Sequence, residues 1–289
     1  MIALVAGALG DFLRPYEFEF FRNGLIVATI AGALCGLIGC YVVLRSMSYI
    51  GHGLSHSIFG GFAAASLIGV NVFLGAGAWG LVTALMIGGI TRRRPVGSDA
   101  AIGVVTTTSF ALGLALIQVF GSPGQNADAA LFGNVLGVSR GDVYLIIAVT
   151  LVTVATIVVA YRRLLFVTFD PEVAEVTGVR VAVTDGVLMV LLAASILVTM
   201  NVMGVTLIAA ALVVPAVIAR LLTPSFSRML LIATAVGGVT GMVGMNLSYH
   251  LDIASGPTIV LTGAALFIIA FLASGVRGRS RLPGVRRAF

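Results

Sequence analysis

Two histidines lie four residues apart in the segment SYIGHGLSHSIFGG, and by type and spacing they are suited to binding a metal ion. His52 and His56 are two of the three histidines in the chain, and they lie within residues 46–91, which contain no charged side chain. Residues at positions i and i+4 share one face of a helix. Neutral imidazole binds zinc, copper, iron or nickel, and also manganese when oxygen ligands join it. The spacing therefore indicates two metal-binding nitrogens on one helix face.

The elements that must position these histidines are membrane-spanning helices. Apolar residues make up 59% of the chain, charged residues make up 10%, and the mean hydropathy is +1.13. A membrane-spanning helix needs about 20 mainly apolar residues. Nine such helices fit between the charged residues, which predicts an all-α polytopic membrane protein. They lie between Arg22 and Arg45, in 46–91 (two), 100–127, 143–161, 186–219 (two, divided at Asn201 and Gly204), 229–251 and 253–276.

The arginines predict the orientation of these helices. All 17 basic residues are arginines, and cytoplasmic loops carry the positive excess in membrane proteins. With an outer N-terminus and a cytoplasmic C-terminus, only Arg14, Arg22 and Arg140 lie outside, and the basic tail 277–289 is cytoplasmic. The net charge of +6 follows from this distribution and does not indicate nucleic acid binding. Residues 1–22 have no signal-peptide cleavage pattern and are predicted to be an amphipathic lead-in at the interface.

Membrane depth sharpens the interpretation of the histidines. If a helix enters at residue 46, a rise of about 1.5 Å per residue places His52 about 9 Å and His56 about 15 Å into the layer. Imidazole at that depth is costly, so both rings should face the bundle interior or a wet pathway. The structural alternative is that each ring hydrogen-bonds to a neighbouring helix. Two rings on one face favour a transport site of two or three protein ligands over a closed cage, because the ion must leave again.

Two further polar segments flank the predicted spans. SYHLDIASGP places His250 and Asp252, both metal ligands by type, at a predicted outer entrance, and the alternative is an interfacial turn anchored by Tyr249. FDPEVAEVTGVRV (169–181) predicts a short cytoplasmic helix that is either a connector or a docking surface. Its N-cap, first helical position, first turn and stop are assigned to Asp170, Pro171, Glu172 and Gly178.

Small residues predict how the helices pack. Glycines at close spacing in GALCG (32–36) and GVTGMVG (238–244) let helix backbones approach closely in lipid, where packing drives association. The free cysteines Cys35 and Cys40 are expected to be buried packing residues. Pro215 lies inside a predicted span, where it removes one backbone hydrogen bond and can kink the helix.

Six blocks in a fixed order together identify a family resemblance. They are VVLRSMSYIGHGLSHSIFGG, AIGVVTTTSFALGLAL, LFGNVLGVSRGDV, FDPEVAEVTGVRV, VMGVTLIAAALVVPAVIARLL and LSYHLDIASGPTIVL. In this order they resemble the membrane subunits of the zinc/manganese/iron permease family of bacterial ABC importers. The resemblance implies a type II importer-like permease bundle, a single transmembrane domain over 1–289, in the bacterial inner membrane.

The same resemblance implies the partners and the cargo. The chain would form a homodimer around a central pathway, surrounded by lipid, and would receive metal from an extracytoplasmic metal-binding protein. Segment 169–181 resembles the coupling helix that docks on a cytoplasmic ATPase, with Glu172 and Glu175 at that contact. The divalent metal is then a substrate, with no permanently bound cofactor. No GxxxxGK[ST] motif occurs, so the partner hydrolyses ATP and this chain is not an enzyme.

One position departs from the family pattern G-D-x-x-S-H. His56 matches the family histidine, whereas His52 stands in the place of the carboxylate. Replacing oxygen by nitrogen favours zinc over manganese, with iron as a further candidate. The alternative function is an ATPase-independent metal channel or a proton-coupled secondary transporter that uses the histidines as a proton relay. An intramembrane metalloprotease would need an HExxH motif, which does not occur, and a serine hydrolase would need a GxSxG turn between a strand and a helix.

Overall fold

The protein is a bundle of α-helices. The structure, a computed structural model, describes residues 14–92, 98–120, 133 and 137–279, and these contain eleven α-helices, a short 3₁₀ helix at Arg14–Glu17 and no strand. The helices are α1 (Glu19–Leu44), α2 (Ser48–Leu67), α3 (Val72–Arg92), α4 (Ser98–Phe120), α5 (Arg140–Val159), α6 (Tyr161–Phe169), α7 (Pro171–Val176), α8 (Val181–Met203), α9 (Ile208–Leu222), α10 (Phe226–Leu251) and α11 (Ser255–Arg279).

The predicted count of nine spans is not confirmed by helix length and composition. Within the described part of the chain, 7 helices are long and apolar enough to cross a membrane, namely α1, α3, α4, α5, α8, α10 and α11. The two others that coincide with predicted spans are α2 and α9. Helix α2 has 20 residues, but its histidines and serines lower its hydropathy, and α9 has 15 residues. The predicted division of 186–219 is confirmed, because α8 ends at Gly204, which has φ 76°.

Side-chain contacts at the helix ends fall into two groups. At one end, the Tyr16 hydroxyl donates to Asn246 near the end of α10, at 2.7 Å, and Arg140 at the start of α5 pairs with Glu19 at the start of α1. At the other end, the hydroxyls of Tyr161 at the start of α6 and Ser227 at the start of α10 lie 2.7 Å apart. The helix ends that the predicted topology puts on the same side of the membrane are therefore in contact in the structure.

Glycines bring α1 and α10 into backbone contact; the sequence predicted close packing at glycines but not which helices meet. A Cβ at Gly32 would overlap the carbonyl of Gly237, and a Cβ at Gly241 would overlap the carbonyl of Ala28. Cys35 and Cys40 are both buried in this region and are free thiols. Without side chains at the contact, the two helices pack through van der Waals contact of their backbones, as membrane helices do.

Helix α2 is continuous, so Gly51 and Gly53 do not break it. Their role is packing: a Cβ at Gly51 would lie 2.7 Å from Leu212 of α9, and one at Gly53 would lie 2.8 Å from Thr106 of α4. Helix α2 also packs on α3 and α8. Because it begins at Ser48, His52 and His56 lie about 6 Å and 12 Å along the helix from its first residue, by the rise per residue.

Several predicted boundaries change. Residues 19–22 of the predicted lead-in form the first turn of α1, and 1–13 lie outside the described residues. The predicted tail begins inside α11, which continues to Arg279, and 280–289 also lie outside the described residues. The predicted span 143–161 is followed directly by a separate helix, α6, which the sequence analysis missed. Pro215 is buried inside α9, and the chain is helical on both sides of it.

Candidate functional site

The two histidines of α2 form a close ring pair. The ring centroids of His52 and His56 lie 4.3 Å apart with an angle of 73° between the planes. The ring of Phe110 in α4 packs perpendicular to that of His56 with centroids 4.5 Å apart, and the exposed ring of Tyr49 lies 6.3 Å from that of His52. His52 is exposed and His56 is partly buried. The pair therefore occupies one helix face, with its outer member accessible.

The nitrogen atoms of this pair remain available for a ligand. His56 Nδ1 is buried and has no hydrogen-bond partner in the structure. A buried polar atom without a partner costs free energy, and native structures contain few of them. The structural alternative requires a hydrogen bond from each ring to a neighbouring helix, and the described residues provide none at this atom. The structural alternative is therefore not met at His56 Nδ1, and the role of the pair as a metal site stays a prediction.

The histidine pair is not part of a larger metal-binding cluster in the described part of the chain. Among the described residues, no group of three or more His, Cys, Asp or Glu side chains is arranged to hold a metal ion. Ser55, which the sequence placed beside the histidine stripe, is buried and donates its hydroxyl to the backbone oxygen of His52 at 2.8 Å. Within the described part of the chain, the pair thus offers two ring side chains and no third metal-binding side chain beside them.

His250 and Asp252 do not join the histidine pair. They lie at the end of α10, which packs on α1, α9 and α11, whereas α2 packs mainly on α3 and α4. Asp252 follows α10 with φ 53° and lines an open cleft of about 670 Å³ together with Phe20, Tyr249 and Ser255. His250 stacks edge-on against Tyr249 at 5.6 Å. These two residues lie at a helix end beside a cleft, and their predicted entrance role stays a prediction.

A buried hydroxyl cluster fixes the other face of α2. Ser57 lies 2.6 Å from Thr83 of α3 and donates to Ser109 of α4 at 3.0 Å, and the indole of Trp79 donates to Ser109 at 2.7 Å. These bonds set the rotation of α2 and so the direction in which the histidines point. The sequence analysis missed this cluster. The sequence feature that could have predicted it is Ser57, next to His56, because a hydroxyl inside a membrane span needs a hydrogen-bond partner.

The short helix predicted in 169–181 is present as α7, with the predicted caps. Asp170 Oδ1 accepts from the backbone N–H of Val173 at 3.0 Å, and Pro171 is the first helical residue. Gly178 has φ 83° and ends the helix, where the N–H of Val179 donates to the carbonyl of Ala174 at 3.0 Å.

The outer surface of α7 combines acid and apolar side chains. Glu172 and Glu175 are exposed, as predicted, and so are Val173 and Val176, the latter 89% exposed. Ala174 is buried and anchors the helix on its inner side. The two valines were not predicted as surface residues from the sequence. The available signal was the run V-A-E-V (173–176), which has an apolar residue at each end and lies in a short capped helix. The two glutamates and the two valines therefore form a mixed acidic and apolar surface on α7.

Comparisons with known proteins place the chain in a family. The model of the ABC 3 transport family matches residues 17–274. The chain belongs to the ABC 3 transport family. Family membership agrees with the resemblance found in the sequence, identifies a transport protein rather than an enzyme, and disfavours the ATPase-independent alternative.

Individual relatives of this ABC 3 family chain carry manganese and iron names. It is 37% identical over 262 residues to a "Manganese transport system membrane protein MntC" of Halalkalibacterium halodurans, covering 91% of this chain and 90% of that protein. It is 35% identical to a "Probable iron transport system membrane protein" of Haemophilus influenzae, covering 92% and 98%. Zinc is not named in either, so the predicted zinc preference gains no specific support.

A solved structure supports the same fold. "PsaBC from Streptococcus pneumoniae in complex with Fab" contains a chain that is 32% identical, with a TM-score of 0.82, covering 91% of this chain and 95% of that one. The helix bundle of this ABC 3 family member is therefore the ABC permease fold.

Proposed function

We propose that this chain is the multi-pass permease subunit of an ATP-driven importer for a divalent transition metal in the bacterial inner membrane. Family membership and the manganese and iron names of its relatives support the class of cargo. The observation that carries the site is the His52/His56 ring pair, with centroids 4.3 Å apart, in which His52 is exposed and His56 Nδ1 is buried without a hydrogen-bond partner. In this proposal the chain crosses the membrane nine times, with α2 and α9 among the crossings. The N-terminus is then outside and the C-terminus cytoplasmic, in agreement with an excess of arginines on the cytoplasmic side.

A homodimer would complete the site. One chain supplies two nitrogens and no third ligand among its described residues. If two copies meet about a two-fold axis along the exposed face of α2, the symmetry brings both histidine pairs to one pathway and offers up to four nitrogens. A site shared between two subunits can also be opened by a relative movement of those subunits, which a transported ion requires.

Manganese is the first metal to test. Relatives carry manganese in their names, whereas the histidine at position 52 supplies nitrogen, which manganese favours less than zinc does. These two considerations oppose each other, and the variant His52→Asp separates them. This change restores an oxygen ligand and should raise uptake of Mn²⁺ relative to Zn²⁺. An unchanged ratio would mean that position 52 does not set the preference.

The exposed face of α7 would be the ATPase contact. Glu172, Glu175, Val173 and Val176 present a mixed acidic and apolar surface that fits a partner protein better than lipid. ATP hydrolysis belongs to that partner. An extracytoplasmic metal-binding protein would deliver the ion at the opposite end, near His250 and Asp252. Reversing both glutamates to arginine should abolish ATP-driven uptake while leaving the chain in the membrane.

The test is metal uptake into proteoliposomes that contain this chain, its ATPase and its binding protein. ATP-dependent uptake of Mn²⁺, Fe²⁺ and Zn²⁺ is compared between the unmodified chain, His52→Ala/His56→Ala and the control Thr156→Ala. Thr156 is a partly exposed polar residue within a span, and its hydroxyl donates to the carbonyl of Val152 in its own helix. We expect the double variant to lose uptake and the control to retain it.

Two outcomes would contradict the proposal. Uptake that proceeds equally without ATP would indicate a channel or secondary transporter. Full ATP-dependent uptake by the double histidine variant would remove His52 and His56 from the pathway while leaving the importer assignment intact.

A further inference from the structure

Arg45 occupies the turn between α1 and α2 and is almost fully buried. Its side chain is 9% exposed. Its Nη1 donates to Asp185 Oδ1 at 2.5 Å, and its Nε donates to Thr168 Oγ1 at 3.1 Å. The next residue, Ser46, has φ 55°, a left-handed conformation that lets the chain reverse direction directly into α2. One guanidinium therefore holds the α1–α2 turn against two other helices.

The two acceptors lie at positions that matter for the proposed function. Thr168 is in the last turn of α6 and precedes Asp170, the N-cap of α7, by two residues. Asp185 lies in the second turn of α8. On the other side of Arg45, α2 begins at Ser48, and His52 lies in its second turn. Arg45 thus joins the start of the histidine helix to the base of the exposed helix α7.

The space around this link is open. A cleft of about 450 Å³ is lined by Arg45, Met47 and Asp185 on one side and by Pro171, Glu172 and Glu175 of α7 on the other. Helix α7 is therefore not packed tightly against the α1–α2 turn over its length. A displacement of α6 and α7 would act on the turn through the arginine.

Stability alone does not explain this arrangement. Removing the charges of Arg45 and Asp185 from water costs about as much as their attraction returns, so a buried ion pair is weak evidence for stabilisation. Arg45 Nη2 is buried without any partner, which adds a further cost. The guanidinium instead fixes the relative position of the helices, because its planar set of N–H donors binds two acceptors on different helices at fixed angles. A lysine ammonium does not do this.

We infer that Arg45 is a positioning residue that transmits movement of α6 and α7 to the start of α2, and so to the histidine pair. The inference rests on the proposed function, in which α7 contacts the ATPase. Movement of α7 during the ATPase cycle would pull on Thr168 and, through Arg45, reorient the first turns of α2.

A second arginine pair provides a matched control. Arg140 donates from Nε to Glu19 Oε1 at 2.6 Å, but the two side chains are 72% and 53% exposed. This pair joins the start of α5 to the start of α1, whereas α6 follows the end of α5 and Arg45 follows the end of α1. Arg140→Lys makes the same chemical change as Arg45→Lys without touching the link.

The experiment measures metal transported per ATP hydrolysed in proteoliposomes holding the complete transporter. Arg45→Lys keeps the positive charge but loses the two-acceptor fork. We expect ATP hydrolysis to persist and the ratio of metal to ATP to fall at least about fivefold, the lower end of typical coupling between linked sites. Arg140→Lys should leave the ratio unchanged. If Arg45→Lys does not assemble, Thr168→Val, which keeps the ion pair, should lower the ratio in the same direction.

An unchanged ratio of metal to ATP in the assembled Arg45 or Thr168 variant would overturn the inference. This holds also when hydrolysis and uptake fall in proportion, because that result would show only a role in folding or docking. Failure of the proposed function is distinguishable from this outcome, since the unmodified transporter itself would then show no ATP-dependent uptake.

Discussion

Replacement of Gly237 by alanine tests the packing of α1 against α10. The added Cβ would lie 2.7 Å from the carbonyl carbon of Gly32, whereas 3.4 Å is the near limit of ordinary contact, and both neighbours are helix backbone. The adjacent Gly238 is the matched control, because a Cβ there would lie 3.6 Å from the Cβ of Ala33, in ordinary contact. The two variants differ by one position in the same helix and add the same methyl group.

The expected difference follows from two terms. Both variants gain helix propensity, by about 1 kcal/mol for glycine to alanine, and this term cancels between them. Only Gly237→Ala forces the backbones apart, and overpacking of this kind costs about 1–3 kcal/mol. We therefore expect the free energy of unfolding of Gly237→Ala to be about 2 kcal/mol below that of Gly238→Ala.

Thermal unfolding in detergent measures this difference, and Trp79, as the single tryptophan in the sequence, provides the fluorescence signal. A difference of about 2 kcal/mol corresponds to a Tm lower by roughly 4–8 °C, taking 2–4 °C for each kcal/mol in a chain of this size class. Equal Tm values for the two variants would refute the inferred backbone contact between Gly32 and Gly237.

Three further outcomes are expected. In Gly178→Ala, the added Cβ meets no neighbour, but the φ of 83° imposes about 1–2 kcal/mol of backbone strain, which should distort the end of α7 and reduce stimulation of the ATPase. The control Gly186→Ala, whose Cβ also meets no neighbour, should leave this stimulation unchanged. Oxidation of a Tyr49→Cys chain should crosslink two copies, because Tyr49 is exposed beside His52 and both native cysteines are buried; a chain that remains monomeric would contradict the dimer face. Ser139→Ala removes the N-cap of α5 and should cost about 1 kcal/mol in unfolding free energy, with unchanged transport.

Local sequence patterns predicted the elements well where local chemistry controls them. Asp170, Pro171 and Gly178 predicted the start and end of α7, because caps act within one helical turn. Hydropathy located the apolar spans, but helix length and mean hydropathy together do not identify α2 and α9 as spans. The histidines and serines of α2 lower its mean hydropathy, and α9 has only 15 residues. The break between α6 and the preceding span had no proline or glycine to signal it.

The sequence by itself determined that this is a helical membrane protein, that it carries a spaced histidine pair in one helix, and that it resembles a family of metal importers. Only the tertiary structure decided which face each helix buries, because lipid and the bundle core are both apolar and leave little periodic signal. The exposure of His52, the choice of Gly237 over Gly238 as a contact, and the link from Arg45 to Thr168 and Asp185 all follow from that packing. Some of these contacts join residues more than a hundred positions apart, and others involve one glycine but not the next. The spacing of residues along the chain predicts neither kind of contact.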